Sequence, residues 1–102
     1  MTSFGSFVRE LREKADWPQR KLAHELDMDV SILSKIENEN RYPRKKAAFI
    51  IGRLSCLFQI PEAKIKEIYL SDEIASILAG EENYEGILAT SAEKVKQVRK
   101  KK

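Results

Sequence analysis

Apolar residues return every three or four positions along most of this chain, and no useful length alternates apolar and polar residues. That spacing places apolar side chains on one face of an α-helix, so the pattern predicts an all-α protein. The six predicted helices have apolar faces made of Phe4, Phe7, Val8, Leu11 and Ala15; Leu22, Ala23 and Leu26; Leu33 and Ile36; Ala47, Ile50, Ile51, Leu54, Leu57 and Phe58; Ile65, Ile68, Tyr69, Ala75, Ile77 and Leu78; and Tyr84, Ile87, Leu88, Ala92, Val95 and Val98.

A few residues with special backbone preferences predict where these helices begin and end. Ser3 is expected to cap the first helix, which should end near Ala15 because Trp17 precedes a proline. Gly80 is expected to end the fifth helix in a left-handed conformation, and Ser71-Asp72 leaves open whether the fifth helix is one helix or two. Gly52 is expected to allow close packing of the fourth helix against the first or second.

The second and third helices are joined by the short polar turn Asp27-Met28-Asp29. Asp27 tolerates a left-handed conformation, and Asp29 can accept the unpaired N–H groups at the start of the third helix. Ala23 is small enough to let another helix cross close beside it. This arrangement predicts a helix-turn-helix, whose second helix normally lies in a DNA major groove.

The third helix has a polar side, and a basic loop follows it. The polar side carries Ser31, Ser34, Lys35 and Asn38. Residues 39–46 then contain four cations and one acid. A solvated run of charge is the simpler interpretation, but cations that flank a groove-bound helix commonly contact phosphates. Backbone contacts are therefore expected from Arg41, Arg44 and Lys45.

Length, charge and cysteine content narrow the class of protein. The chain has 102 residues and a formal net charge of +3, which suits one small domain and favours an anionic partner without requiring one. One cysteine excludes an internal disulfide. The sequence has neither an apolar run typical of a signal peptide nor a stretch long enough to span a membrane, so a cytoplasmic protein is expected.

Residues that would support catalysis are scarce. His24 is the only histidine and is expected to face solvent, whereas the lone thiol of Cys56 is expected to be buried in the packing of the fourth helix. The sequence contains no glycine-rich phosphate loop, no paired catalytic carboxylates and no metal-ligand spacing. It therefore predicts no enzymatic activity, no metal site and no cofactor.

Residues from about Phe4 to Ile65 resemble the Cro and phage-repressor (Xre-type) helix-turn-helix family. The resemblance rests on Leu11-Arg12, on Gln19 with Leu22-Ala23, on Leu33-Ser34-Lys35-Ile36-Glu37, which is similar to the family's I-S-x-I-E, and on LFQIPEAKI at 57–65. It implies a lambda-repressor-like helix-turn-helix domain of about five helices within residues 1–70. Residues 71–102 lie outside the family's common domain and form a predicted C-terminal helical extension with a basic tail.

The resemblance, together with the chemistry of the residue types, implies roles for single residues. DNA bases would be read by Val30, Ser31, Ile32, Ser34 and Lys35. The DNA backbone would be bound by Gln19, Arg20, Asn38, Arg41, Arg44 and Lys45. A structural ion pair would join Arg12 to Glu37. The base-reading residues include no bidentate arginine, glutamine or asparagine, so moderate sequence preference is expected, with DNA shape supplementing direct contacts.

The expected function is a sequence-specific DNA-binding transcriptional regulator, either a repressor or an autoregulator. The extension is expected to form a homodimer that presents two third helices, about 34 Å apart, to a palindromic operator. Two alternatives remain for the extension: it covers the core of its own subunit, or it binds a protein partner, with Tyr69, Tyr84, Ile87 and Leu88 as candidate contacts if they form an exposed patch. The latter would suit an antitoxin or accessory operon subunit. A controller protein of a restriction-modification system is a further alternative.

Overall fold

A computed structural model describes residues 2–41 and 44–100, and over these ranges the chain is helical with no β-strand. The described residues form six α-helices: α1 (Phe4–Lys14), α2 (Gln19–Glu25), α3 (Val30–Glu39), α4 (Ala47–Phe58), α5 (Glu62–Leu78) and α6 (Tyr84–Lys100). A 3-10 turn, Arg44–Lys46, leads into α4. The all-α prediction is confirmed. Tyr42 and Pro43 of the predicted loop, and Lys101 and Lys102 of the predicted tail, lie outside the described residues.

The chain divides into two compact units, one ending at Asp72 and the other beginning at Glu73. The division falls inside α5, whereas the sequence suggested a boundary after residue 70. The fifth helix, which the sequence left as one helix or two, is a single helix in the structure. The Ser71 hydroxyl donates to the carbonyl of Ile68 at 3.0 Å, so it bonds the preceding turn instead of capping a new helix.

The core of the first unit is built from the apolar faces of α1 to α5. Its buried residues are Phe4, Val8, Leu22, Ala23, Leu26, Leu33, Ile36, Ile50, Ile51, Leu54, Ile65 and Tyr69. Two aromatic pairs extend this packing. Tyr69 meets Phe4 edge-on with ring centroids 5.5 Å apart, and the ring centroids of Trp17 and Phe58 are 5.4 Å apart. Trp17 therefore packs the junction between α1 and α2 onto α4.

Local hydrogen bonds account for several of the helix ends. Ser3 caps α1 as expected, because its hydroxyl accepts from the N–H of Ser6 while the Ser6 hydroxyl accepts from the N–H of Ser3. Asp27 adopts the expected left-handed conformation, with φ of 53°. Asp29 is the N-cap residue of α3, but its side chain makes no capping bond to a described residue. That part of the prediction is wrong, since the carboxylate is exposed to solvent instead.

Both expectations about glycines were wrong. Gly80 does not have a positive φ, so α5 ends without a left-handed glycine. Gly52 faces the start of α5, where an added Cβ would lie 3.3 Å from a carboxylate oxygen of Glu62. The close approach of two helices occurs at Gly5 instead, where an added Cβ would collide with the carbonyl oxygen of Ile36 in α3. Glycine at position 5 therefore lets α1 pack directly on the backbone of α3.

Candidate nucleic-acid interface

The helix-turn-helix consists of α2 and α3, joined by residues 26–29. Each helix turns its apolar residues inward: Leu22 and Ala23 are buried on α2, and Leu33 and Ile36 are buried on α3. The small side chain of Ala23 is 1% exposed, as its expected place beside a crossing helix requires. One side of α3 is thus packed into the core, and its other side is accessible to solvent.

The solvent-accessible side of α3 is mostly polar. It consists of five residues that we call the α3 face: Val30, Ser31, Ser34, Lys35 and Asn38. Ser31, Lys35 and Asn38 are exposed, Val30 is 38% exposed, and Ser34 is half-buried. The Asn38 amide donates to the Ser34 hydroxyl at 3.0 Å, which joins two members of the face. Of the five residues expected to read bases, four therefore lie on this face.

Ile32, the fifth expected base reader, lies partly buried and packs against the core. It also lines a shallow polar groove with His24, Asp27, Met28, Asp29 and Lys46. Less of its side chain is accessible than the sequence suggested, because its position on α3 falls between the buried and exposed sides. Ile32 therefore contributes more to packing against the core than to the exposed surface of the α3 face.

The expected backbone-binding cations are exposed. Arg20 lies on α2, Arg41 follows the end of α3, and Arg44 and Lys45 lie in the 3-10 turn before α4. Arg41 approaches the carboxylate of Glu39 at 3.9 Å, a long and solvated contact of little energetic consequence. The ends of both helices of the helix-turn-helix therefore carry positive charge at the protein surface.

A buried carboxylate joins the first three helices. Glu37 accepts two hydrogen bonds from the guanidinium of Arg12, at 2.8 and 2.9 Å, and a third from the amide of Gln19 at 3.1 Å. Arg12 also donates to the carbonyl of Trp17 at 2.8 Å. The Glu37 side chain is only 1% exposed, so its charge depends on these donors for stabilisation. This network fixes α3 relative to α1 and to the start of α2.

The hydrogen bonds from Arg12 to Glu37 raise the pKa of the Arg12 guanidinium above its usual value, and they outweigh the lowering caused by burial. A raised pKa stabilises the fold at every pH below the pKa of arginine in the unfolded chain. That contribution is lost only when the pH rises through the still higher pKa of the folded state. The ion pair is therefore expected to persist through neutral and moderately alkaline solution.

A second charged pair holds α2 from the side of α4. Arg53 donates to the carboxylate of Glu25 at 2.7 Å and to the backbone carbonyl of the same residue at 3.0 Å. Glu25 is the last residue of α2, where carbonyl groups lack partners within the helix. Arg53 thus supplies a hydrogen-bond donor to an unpaired carbonyl at the end of α2, immediately before the turn that leads to α3.

The residues considered for catalysis are scattered over the surface. His24 is exposed, as expected, but Cys56 is exposed as well, so the expectation of a buried thiol was wrong. The α4 residues Ile50 and Leu54 face the core, and Cys56 projects from another side of that helix. No cluster of three or more potential metal-ligating side chains occurs in residues 2–41 and 44–100. Within those same ranges, no helix combines the length and apolar character needed to cross a membrane.

Comparison with known families agrees with this geometry. A family model described as helix-turn-helix matches residues 8–63, which is more than half of the chain. The protein belongs to the Cro and Xre-type helix-turn-helix family and has its lambda-repressor-like all-α fold. It is accordingly a DNA-binding helix-turn-helix regulator. No match was found among curated proteins or among solved structures.

Proposed function

We propose that this protein is a sequence-specific regulator of transcription, a repressor or an autoregulator, that inserts α3 into the DNA major groove. The observation that carries the proposal is the two-sided character of α3. Leu33, Ile36 and Glu37 anchor one side in the protein, whereas the α3 face offers short polar groups and one ammonium group to solvent. A rigidly held helix with such a surface suits the edges of base pairs better than an apolar protein groove.

The base contacts that we propose rest on the chemistry of the α3 face. Lys35 can donate to O6 and N7 of guanine, Ser31 can donate to or accept from several bases, and Val30 can contact a thymine methyl group. Ser34 is half-buried and receives a hydrogen bond from Asn38, so it is expected to contribute less. Sequence preference should be moderate and supplemented by DNA shape.

We propose phosphate contacts from Asn38 and from residues on α2, after α3 and before α4. Arg20, Arg41, Arg44 and Lys45 carry exposed positive charge. The Gln19 amide nitrogen uses one hydrogen to bond Glu37, and its second hydrogen can bond a phosphate oxygen. Such contacts position the protein on the duplex without reading its sequence.

Removing the ammonium group of the α3 face tests the proposal. The Lys35→Ala variant is expected to weaken binding to the preferred operator by about 1–3 kcal/mol and to change the preference at one base position. Lys35 is exposed, so the fold should not be affected. Selection of bound sites from random DNA, followed by titration at fixed salt, measures both effects.

Lys45→Ala is the matched control, because it also removes one exposed ammonium group. If Lys45 contacts a phosphate, this variant should weaken binding to all sequences alike and lower the salt slope by about one. An unchanged affinity and an unchanged base preference in Lys35→Ala would refute the assignment of the α3 face.

We also propose that the second unit forms a homodimer through α6. None of the described residues of α6 is buried, yet Tyr84, Leu88, Val95 and Val98 follow each other at intervals of four, seven and three positions. These four residues, which we call the α6 stripe, are between 42% and 58% exposed. Such spacing is typical of a helix whose apolar seam is completed by another helix, and a second copy offers an identical seam.

A different protein is the other occupant that the α6 stripe would fit, as in an antitoxin or an accessory operon subunit. Of the four expected partner contacts, Tyr84 and Leu88 are exposed and Ile87 is half-buried. Tyr69 is 8% exposed and packs against Phe4, so it does not meet the condition of exposure and is excluded as a surface contact. Its place on α5 turns the ring toward the core of the first unit.

Placing a charge in the α6 stripe tests the homodimer. In a symmetric dimer, Val95→Glu would introduce two carboxylates into the seam and remove two apolar contacts. If each lost contact costs about 1.5 kcal/mol, the dimer dissociation constant should rise roughly a hundredfold. Sedimentation equilibrium of the full chain, with the wild type measured over the same concentrations, reads this change.

Gln97→Glu introduces the same charge on the same helix, at an exposed position outside the α6 stripe. It is expected to leave the dimer dissociation constant within about threefold of the wild-type value, since a single exposed charge costs little. A wild-type protein that remains monomeric at high micromolar concentration would argue against the homodimer. So would equal dissociation constants for the two variants.

A further inference from the structure

Three polar groups from separate parts of the first unit meet at the start of α1. The first N–H groups of any α-helix lack partners within the helix. In this protein the N–H of Phe4 donates to a carboxylate oxygen of Asp72 at 2.7 Å, and the N–H of Gly5 donates to the amide oxygen of Asn40 at 2.8 Å. The Asn40 amide nitrogen donates in turn to the same Asp72 oxygen at 3.1 Å. We call this arrangement the Asp72–Asn40 clamp.

Asn40 directly follows the last residue of α3 and caps that end of the helix. It adopts a left-handed conformation, with φ of 53°, which asparagine tolerates better than most residues. Its backbone N–H donates to the carbonyl of Lys35, and the N–H of Arg41 donates to the same carbonyl at 3.2 Å. Asn40 therefore connects the last turns of α3, including the backbone of Lys35, to the start of α1.

Asp72 supplies the charge of the clamp from α5. A carboxylate beside the first N–H groups of a helix is favoured by the partial positive charge at that end, so Asp72 stabilises α1 and orients Asn40 at once. Asp72 lies beyond residues 8–63, which the family model matches. The clamp thus depends on a residue outside the matched segment.

We infer that the Asp72–Asn40 clamp positions the C-terminal half of α3 for DNA reading, with Asn40 and Asp72 as positioning residues that need not touch DNA. This inference rests on the proposed function. The Arg12–Glu37 network and Gly5 hold residues 36 and 37, and the clamp holds the end of α3 beyond them. Without the clamp, that end would fray and the carbonyl of Lys35 would lose the N–H groups that Asn40 and Arg41 donate to it, so Lys35 would be held less firmly.

A swap of donor and acceptor tests the clamp in the full chain. In Asn40→Asp, the new carboxylate can still accept from the N–H of Gly5, but it faces the carboxylate of Asp72 with no proton between them. In Asp72→Asn, the amide oxygen can accept from both Phe4 and Asn40, so the contacts survive. In the double variant, the amide introduced at position 72 can rotate so that its nitrogen donates to the carboxylate introduced at position 40, which restores a hydrogen bond between the two residues.

Binding to the selected operator and to unrelated duplex DNA is measured for the four proteins at fixed salt. Asn40→Asp is expected to weaken operator binding about tenfold, because a hydrogen bond to a charged group would be lost and two carboxylates would face each other, and to lower the ratio of specific to non-specific affinity. Asp72→Asn should stay within about threefold of the wild type, and the double variant should return to that range. A merely stabilising contact would not change the ratio for protein that is fully folded.

The double variant also separates the clamp from simple charge repulsion of DNA. It carries the same carboxylate at position 40 as the weakened single variant. If the double variant binds as weakly as Asn40→Asp, local charge explains the loss and the clamp is refuted. If Asn40→Asp keeps the wild-type affinity and ratio, the clamp is refuted as well.

Failure of the proposed function has a different outcome: the wild-type protein would show no salt-sensitive binding to any duplex, and the positioning role would fall with it. Amide hydrogen exchange at Phe4 and Gly5 measures the two N–H hydrogen bonds of the clamp directly, in the absence of DNA. Both amides should be protected in the wild type, with faster exchange in Asn40→Asp. Rapid exchange of both amides in the wild type would overturn the clamp whatever the DNA titrations show.

Discussion

Glu37→Ala is expected to lower the free energy of unfolding by about 3–5 kcal/mol, which is the usual cost of removing one partner of a buried ion pair. The Arg12 side chain is 13% exposed and would keep its charge without a carboxylate beside it. The Gln19 amide would lose its acceptor as well. Because the network joins three helices, operator binding should fall even under conditions where the variant is fully folded.

Urea unfolding of the full chain measures this loss, and Glu13→Ala is the matched control. Glu13 pairs with Arg9 at 3.6 Å, but both side chains are more than half exposed. Removing such a pair is expected to change the free energy of unfolding by less than about 0.5 kcal/mol. Similar losses in the two variants would mean that burial of Glu37 does not govern the strength of its ion pair.

Gly5→Ala is expected to cost about 3 kcal/mol of folding free energy, because the added methyl group would occupy the space of the Ile36 carbonyl oxygen. A backbone atom cannot move aside as a flexible side chain can, so α1 and α3 would have to separate. The new Cβ would also lie 3.1 Å from the Asn40 amide oxygen, which accepts from the N–H of Gly5. The gain in helix propensity, about 1 kcal/mol, would offset only part of this cost.

Gly80→Ala provides the control for this prediction. A Cβ at position 80 would meet no described atom within 4 Å, and the φ of Gly80 is not positive. The substitution should therefore be neutral or stabilise the fold by up to about 1 kcal/mol, because alanine restricts the unfolded chain more than glycine does. Thermal and urea unfolding of both variants compare the two sites directly. A Gly5→Ala protein as stable as the wild type would show that α1 and α3 lie further apart.

The helices and much of the core could be predicted from sequence, because helical periodicity is a local signal. Leu22, Ala23, Leu33 and Ile36 were assigned to the core from their spacing, and all four are buried. Members of one apolar stripe lie three or four residues apart, so their common face follows from helix geometry alone. The polar side of α3 was predictable for the same reason.

Residues whose surroundings depend on a second element were harder to predict. Tyr69 belongs to an apolar stripe of α5, and only the position of Phe4 decides that its ring is buried. Cys56 is apolar enough for a core, but its side of α4 faces solvent. Gly52 and Gly5 both lie within helices, and only the path of α3 shows which of them permits a close approach.

Asp72 shows most clearly which contacts could not be predicted from sequence. Ser71-Asp72 could begin a new helix in the sequence, whereas the Asp72 carboxylate instead binds the start of α1, 68 residues away. Asparagine after a helix is a known signal for a left-handed end, and that signal could have drawn attention to Asn40. No spacing rule, however, would have paired Asn40 with Asp72 across 32 residues.

The order of apolar and polar residues by itself determined that this chain is helical, where its helices lie, and which sides of α2 and α3 face inward. Those properties depend on residues within one or two helical turns, and such residues are close together in the sequence. Tertiary structure alone decided which glycine admits a crossing helix, which carboxylate holds the start of α1, and how the end of α3 is fixed. Those properties depend on groups that only chain folding brings within hydrogen-bond distance.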